Sequence, residues 1–92
     1  MKYILLGNIS SEWAKKHIER TRQGMAKLED LGIKIESINY TQGQYDFIDV
    51  VDAPDAEAVL ALSLWYADQG YGRIQTIPAF DPKTIERAAE KA

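Results

Sequence analysis

Hydrophobic positions alternate between two periods along the chain. Tyr3 to Ile9 is dense in Ile, Leu and Tyr and ends at Ser10-Ser11, the pattern of a buried strand handing over to a helix N-cap. From Ser11 onward Ala14, Ile18, Thr21, Met25 and Leu28 recur at spacings of four and three. That spacing predicts a helix packed by one stripe and running to about Leu31, with Gly32 as its stop. Gly24 interrupts the stripe, and a mid-helix glycine costs about 1 kcal/mol relative to alanine, so a kink or a close neighbouring backbone is expected there. Ile33 to Thr41 and Tyr45 to Val51 read as paired strands around a hairpin at Gln42-Gly43-Gln44. Asp52-Ala53-Pro54-Asp55 reads as a helix start with Pro54 in the first turn and the aspartates at the positive end of the dipole. This second helix runs to about Gln69 and ends at Gly70-Tyr71-Gly72. Arg73 to Phe80 forms a fourth strand, and Pro78 places it at a sheet edge. Asp81-Pro82 then caps a short last helix with a thin stripe of Ile85, Ala88 and Ala89.

The order β-α-β-β-α-β predicts an α+β fold of the ferredoxin-like kind, a four-stranded antiparallel sheet with two helices on one face plus the short C-terminal helix. Right-handed crossovers put strands one and three in the centre. In strand one, Ile4 and Leu6 oppose Tyr3, Leu5 and Ile9; in strand three, Ile48 and Val50 oppose Tyr45, Phe47 and Val51. Both faces are apolar, and two helices cover only one. About six large side chains are left over, at roughly 1.5 to 3 kcal/mol each, so on the order of 10 kcal/mol of burial is unclaimed. The second helix is apolar nearly all round between Ala58 and Ala67, as expected of a helix touched on more than one side. Self-association, as a homodimer or higher oligomer, supplies the missing cover, and the face carrying Tyr3, Tyr45, Phe47 and Val51 is the one expected to meet the partner.

Ninety-two residues leave room for a single domain, 1–92, with one core. Hydrophobic residues at 46% and charged residues at 27% place the chain among folded proteins. Fourteen acidic against eleven basic side chains give a net charge of -3, which repels phosphate and argues against nucleic acid as a partner. The absence of cysteine removes disulfides, thiolate metal sites and thiol nucleophiles. A reducing, cytoplasmic setting is expected, with no membrane partner, because no stretch approaches the roughly 20 apolar residues of a span.

Gly43-Gln44-Tyr45-Asp46, followed by an apolar strand and Asp52-Ala53-Pro54-Asp55, resembles the GYD domain family. The opening Tyr3 to Ser10 and the closing Arg73 to Phe80 resemble that family's ends, so the likeness covers nearly the whole chain. The resemblance implies a dimeric α+β barrel, in which two sheets face one another. It carries no reaction with it; families of similar fold hold small molecules, or oxygenase and isomerase chemistry, between paired sheets, an analogy of fold alone.

Few residues point to chemistry. Gly43, Tyr45 and Asp46 are either a ligand-facing loop or a turn, with glycine at positive φ, aspartate accepting hairpin N–H groups and tyrosine packed over it. Asp49 alternates onto the side of Tyr3, Tyr45 and Phe47, so these four are the expected ligand-facing set. A carboxylate enclosed there has its pKa raised by desolvation, as a general acid or base requires; the plainer reading is a wet rim or an ion pair to Arg73 across an interface. His17, the only histidine, sits beside the stripe of the first helix. It is either structural or the second proton carrier beside Asp49. No metal site is expected, since one chain offers His17 only carboxylates as co-ligands. Trp13, Trp65, Tyr66 and Tyr71 read as core or interface more readily than as a pocket. Gly70-Tyr71-Gly72 leads into a strand and lacks a third glycine, so it is no nucleotide loop. Nucleophile-elbow, Walker and zinc-protease motifs are absent. The reading that follows is a homo-oligomer binding a small, largely apolar molecule between paired sheets, without cofactor. The alternatives are a cofactor-independent enzyme of the oxygenase or isomerase type using Asp49 or His17, and an interaction module whose sheets close on each other.

Overall fold

A computed structural model describes residues 1–92. The elements are β1 (Lys2–Ile9), a short 3-10 turn (Ser11–Trp13), α1 (His17–Asp30), β2 (Lys34–Tyr40), β3 (Phe47–Asp52), α2 (Ala56–Asp68), β4 (Gly72–Pro78) and α3 (Pro82–Lys91). The four strands form one antiparallel sheet in the order β2-β3-β1-β4. Strands one and three are central, as expected, and Pro78 ends an edge strand where its missing donor is harmless.

Helix boundaries differ from the sequence reading in two places. Trp13 folds edge-on against Tyr71 at 4.6 Å, which holds Ser11–Trp13 as a separate turn. The α-helix begins only at His17, without a side-chain cap. The stripe is shortened as a result: Ala14 lies outside α1 and Ile18 is 83% exposed, while Thr21, Met25 and Leu28 face the sheet as the spacing predicts. In the second helix Pro54 precedes the first turn, because Asp55 is the N-cap and its carboxylate accepts from the Ala58 N–H at 2.8 Å.

Both long helices end in the same way. Gly32 and Gly70 adopt φ of 71° and 78°, a region that favours glycine. The next N–H groups turn back onto helix carbonyls, Ile33 to Leu28 at 2.9 Å and Tyr71 to Tyr66 at 3.3 Å. Each motif thereby drops a buried side chain, Ile33 or Tyr71, into the core. Tyr71 is fully enclosed among Trp13, Trp65 and Tyr66; Tyr66 and Tyr71 are core residues with Trp13 and Trp65 packed partly buried against them, and Trp65 and Tyr66 also face a cleft between α1 and the sheet.

The face assignment is reversed. Tyr3, Leu5, Phe47 and Val51 are buried with Val59, Leu62 and Tyr66 of α2, so this is the face that the helices cover. The opposite alternation leaves Ile4, Leu6, Ile48 and Val50 partly exposed, and that second face is the unclaimed one. Sequence alternation sorts residues onto two faces, but both sets are apolar here and the pattern has no sign. The outer side of α2 leaves Leu60 and Leu64 59% and 64% exposed in the single chain. No helix is long and apolar enough to cross a membrane.

Candidate ligand-binding cleft

The two helices use the sheet differently. The face of α2 that packs on the sheet is buried at Ala58, Val59, Leu62 and Tyr66, whereas the only buried residue of α1 is Arg20. Between α1 and the sheet lies a mostly apolar cleft of about 80 Å³, with Leu5, Phe47 and Leu62 among its walls. A register shift between Ile35 and Ser37 on β2 is a bulge that changes the phase of the strand. It lets Ile35, Ile38 and Tyr40 all line the cleft, although Ile35 and Ile38 are three residues apart. On the helix side stands Gly24. A Cβ there would meet nothing within 4 Å, so the glycine faces open space and no close neighbouring backbone accounts for it.

Four polar residues meet around this cleft. Arg20 is 7% exposed; its Nη2 lies 3.3 Å from His17 Nδ1, and its Nε has no hydrogen-bond partner. His17 stacks edge-on against Tyr40 at 5.2 Å, which places it at the outer rim. Asp49 Oδ1 accepts from the Asn39 N–H at 3.2 Å. Burial raises the Asp49 pKa above the usual carboxylate value, while the Asn39 hydrogen bond and the charge of Arg20 oppose the rise. Tyr66 donates to the Asn8 carbonyl at 3.3 Å, and burial pushes its hydroxyl up to about 12, again against the influence of Arg20. The cleft thus joins a guanidinium that offers donors only, a carboxyl group whose pKa is raised by burial and a phenol that stays neutral.

The expected ligand-facing set is divided by the fold. Phe47 and Asp49 line the cleft. Tyr3 is a core residue and does not reach it. Tyr45 precedes β3, and its hydroxyl donates to Gln75 Oε1 at 2.8 Å. Gln75 pairs with Leu6 on the opposite face, so strand alternation does not extend back to Tyr45. Asp46 accepts the Ile9 N–H at 2.6 Å and donates its own N–H to the Gly7 carbonyl at 2.8 Å. Its carboxylate ties the hairpin to β1, while its backbone carbonyl accepts the Thr41 N–H across the turn at 2.9 Å; Gly43 stands exposed at the tip. Arg73 is exposed on β4, and the cation that influences Asp49 is Arg20. No group of three or more His, Cys, Asp or Glu side chains is arranged to hold a metal ion. Arg20 and Gly24 carry much of the cleft's character and were not singled out as site residues from sequence. The available signal was a charged residue and a glycine on the inner side of the helix, at i and i+4.

An antiparallel β2-β3-β1-β4 sheet with both long helices on one face defines a ferredoxin-like α+β protein. The chain belongs to the GYD domain family, which matches residues 3–89. It is 31% identical over 81 residues to the glutamine synthetase and cystathionine beta-lyase binding protein of Thermus thermophilus, spanning 84% of this chain and 85% of that relative. Among solved structures it is similar to 5-chloro-2-hydroxyhydroquinone dehydrochlorinase from Burkholderia phenoliruptrix AC1100, in complex with 2,5-dihydroxybenzoquinone. That likeness has a TM-score of 0.64 at 14% identity and covers 91% of this chain and 98% of the other; it concerns the fold alone.

Proposed function

We propose that the protein is a homodimer, paired through the open sheet face, that binds a small, largely apolar molecule in the cleft beneath α1. The observation that carries the binding reading is the cleft itself: an apolar space left unfilled by Gly24, with Arg20 and Asp49 held in its walls. Closely packed cores rarely leave such a space, and buried polar groups in apolar surroundings fix the orientation of ligands. The earlier expectation of a site between paired sheets moves accordingly to the space between helix and sheet. The Burkholderia relative in fold was solved with a small quinone, which is compatible with a ligand of this size class.

Pairing is supported by Ile4, Leu6, Ile48 and Val50 on the uncovered face. Light scattering is expected to give twice the chain mass for the wild type and the chain mass for Ile48→Glu; a monomeric wild type contradicts the dimer. For the cleft, toluene is expected to shift the NMR signals of Trp65 and Phe47 in the wild type but not in Gly24→Leu. Unchanged spectra in the wild type sink the binding reading. An enzyme using Asp49 or His17 as proton carrier would sit in the same cleft. A second reading, docking on another enzyme, is supported by the Thermus relative, a binding protein of glutamine synthetase and cystathionine beta-lyase, and by the exposed Leu60 and Leu64 on α2.

A further inference from the structure

Arg20 is more than nine-tenths buried, yet no carboxylate lies within ion-pair distance of it: the protein's four ion pairs join other residues. Its Nε–H points to no acceptor, and the neighbouring Thr21 hydroxyl is also buried without a partner. Both residues line the cleft. Only three side-chain atoms in the protein are orphaned in this way, and the third, the Tyr71 hydroxyl, belongs to a residue outside the cleft. Arg20 influences the Asp49 carboxyl but makes no ion pair with it; a buried guanidinium without an ion-pair partner is costly, and guanidinium offers donors only. The missing group is therefore an acceptor with negative charge.

Resting on the ligand-binding reading, we infer that Arg20 makes the cleft a site for a compact organic anion, its single carboxylate or phenolate oxygen received by Arg20 and Thr21 and its apolar body against Phe47 and Leu62. Two features narrow the class. The volume of about 80 Å³ falls below the 150 Å³ of a cavity that encloses benzene, so at most one ring or a short chain enters, part of it in the open mouth. Nucleotides and flavins are too large. Asp49 on the facing strand disfavours a second negative charge near the first, which separates this class from phosphate esters and dicarboxylates.

The test is calorimetric titration with benzoate and butanoate, each beside its neutral amide, which keeps shape and removes charge. The wild type is expected to bind an acid at least tenfold more tightly than its amide. Arg20→Met is expected to erase that preference, so that the acid binds no more tightly than its amide. Equal binding of acid and amide by the wild type overturns the anion assignment and leaves an apolar cleft intact. Acids and amides both failing to bind while toluene still binds also overturns it; if toluene fails as well, the ligand-binding reading falls first. Should Arg20→Met not fold, the Arg20 Nε–H resonance of the wild type decides: it shifts with benzoate and not with benzamide if the inference holds, and with neither if it is wrong.

Discussion

The α2 side and the α1 side of the helix layer are built from helices of nearly equal length, thirteen and fourteen residues, yet they do different work. Under α2 the helix face is buried and its last turn delivers Tyr71 into an aromatic cluster. Under α1 the corresponding space holds a buried guanidinium, a partly buried carboxyl group and a glycine facing an opening. Packing density stabilises the first region. The second retains groups that an optimised core would replace, which is how binding sites differ from cores.

The sharpest way to break this contrast is to make one deletion on each side. Val59→Ala is expected to lose about 2–3 kcal/mol, two buried methyl groups plus the cavity they leave in a filled core, because Val59 is 1% exposed and lies outside the cleft. Leu28→Ala beside the cleft is expected to lose less, since Leu28 is only partly buried. Urea unfolding of the pair measures both, and equal losses would mean that α1 packs as α2 does. Next in size is Gly7→Ala. A Cβ at Gly7 would fall within the Phe47 ring, and the overpacking is expected to cost about 1–3 kcal/mol. The displaced ring would also narrow the cleft it lines, so toluene uptake should fall together with stability.

Asp49 gives a smaller effect that depends on pH. Burial raises its folded pKa above the unfolded value, so folding favours the protonated form. The stability linked to this proton is fully present below the unfolded pKa and is lost as pH rises through the folded one. Asp49→Asn keeps an acceptor for the Asn39 N–H and removes the charge. It is therefore expected to be more stable than the wild type at neutral pH, with the difference fading below about pH 4, where the free carboxyl titrates. A variant less stable than the wild type at pH 7 would mean that the Asp49 charge supports the fold.

Much of this arrangement is legible in the sequence. Strand order, the central pair, the edge position of β4 and the glycine stops follow from periods, Gly and Pro placement and crossover handedness, and all stand in the structure. Residue-level features are less so. The direction of the covered face is lost because Tyr3, Leu5, Phe47 and Val51 are matched by an equally apolar Ile4, Leu6, Ile48 and Val50. The start of α1 is missed because Trp13 closes a separate turn on Tyr71, an attraction between residues 58 positions apart that no local period records. Phe47 and Asp49 reach the cleft by simple alternation, while Tyr45 leaves it because β3 begins only at Phe47. Arg20 is hidden for another reason: a charged residue on a helix reads as solvated until tertiary structure encloses it.

Gly24→Ala puts the contrast between the two helices to its most direct test. With nothing within 4 Å of the added methyl group, alanine should strengthen the helix by up to about 1 kcal/mol while reducing the space beneath it. Urea unfolding is predicted to show a more stable protein. A loss of stability would contradict a cleft held open for a ligand, and would mean that the glycine is required for the packing of α1 itself.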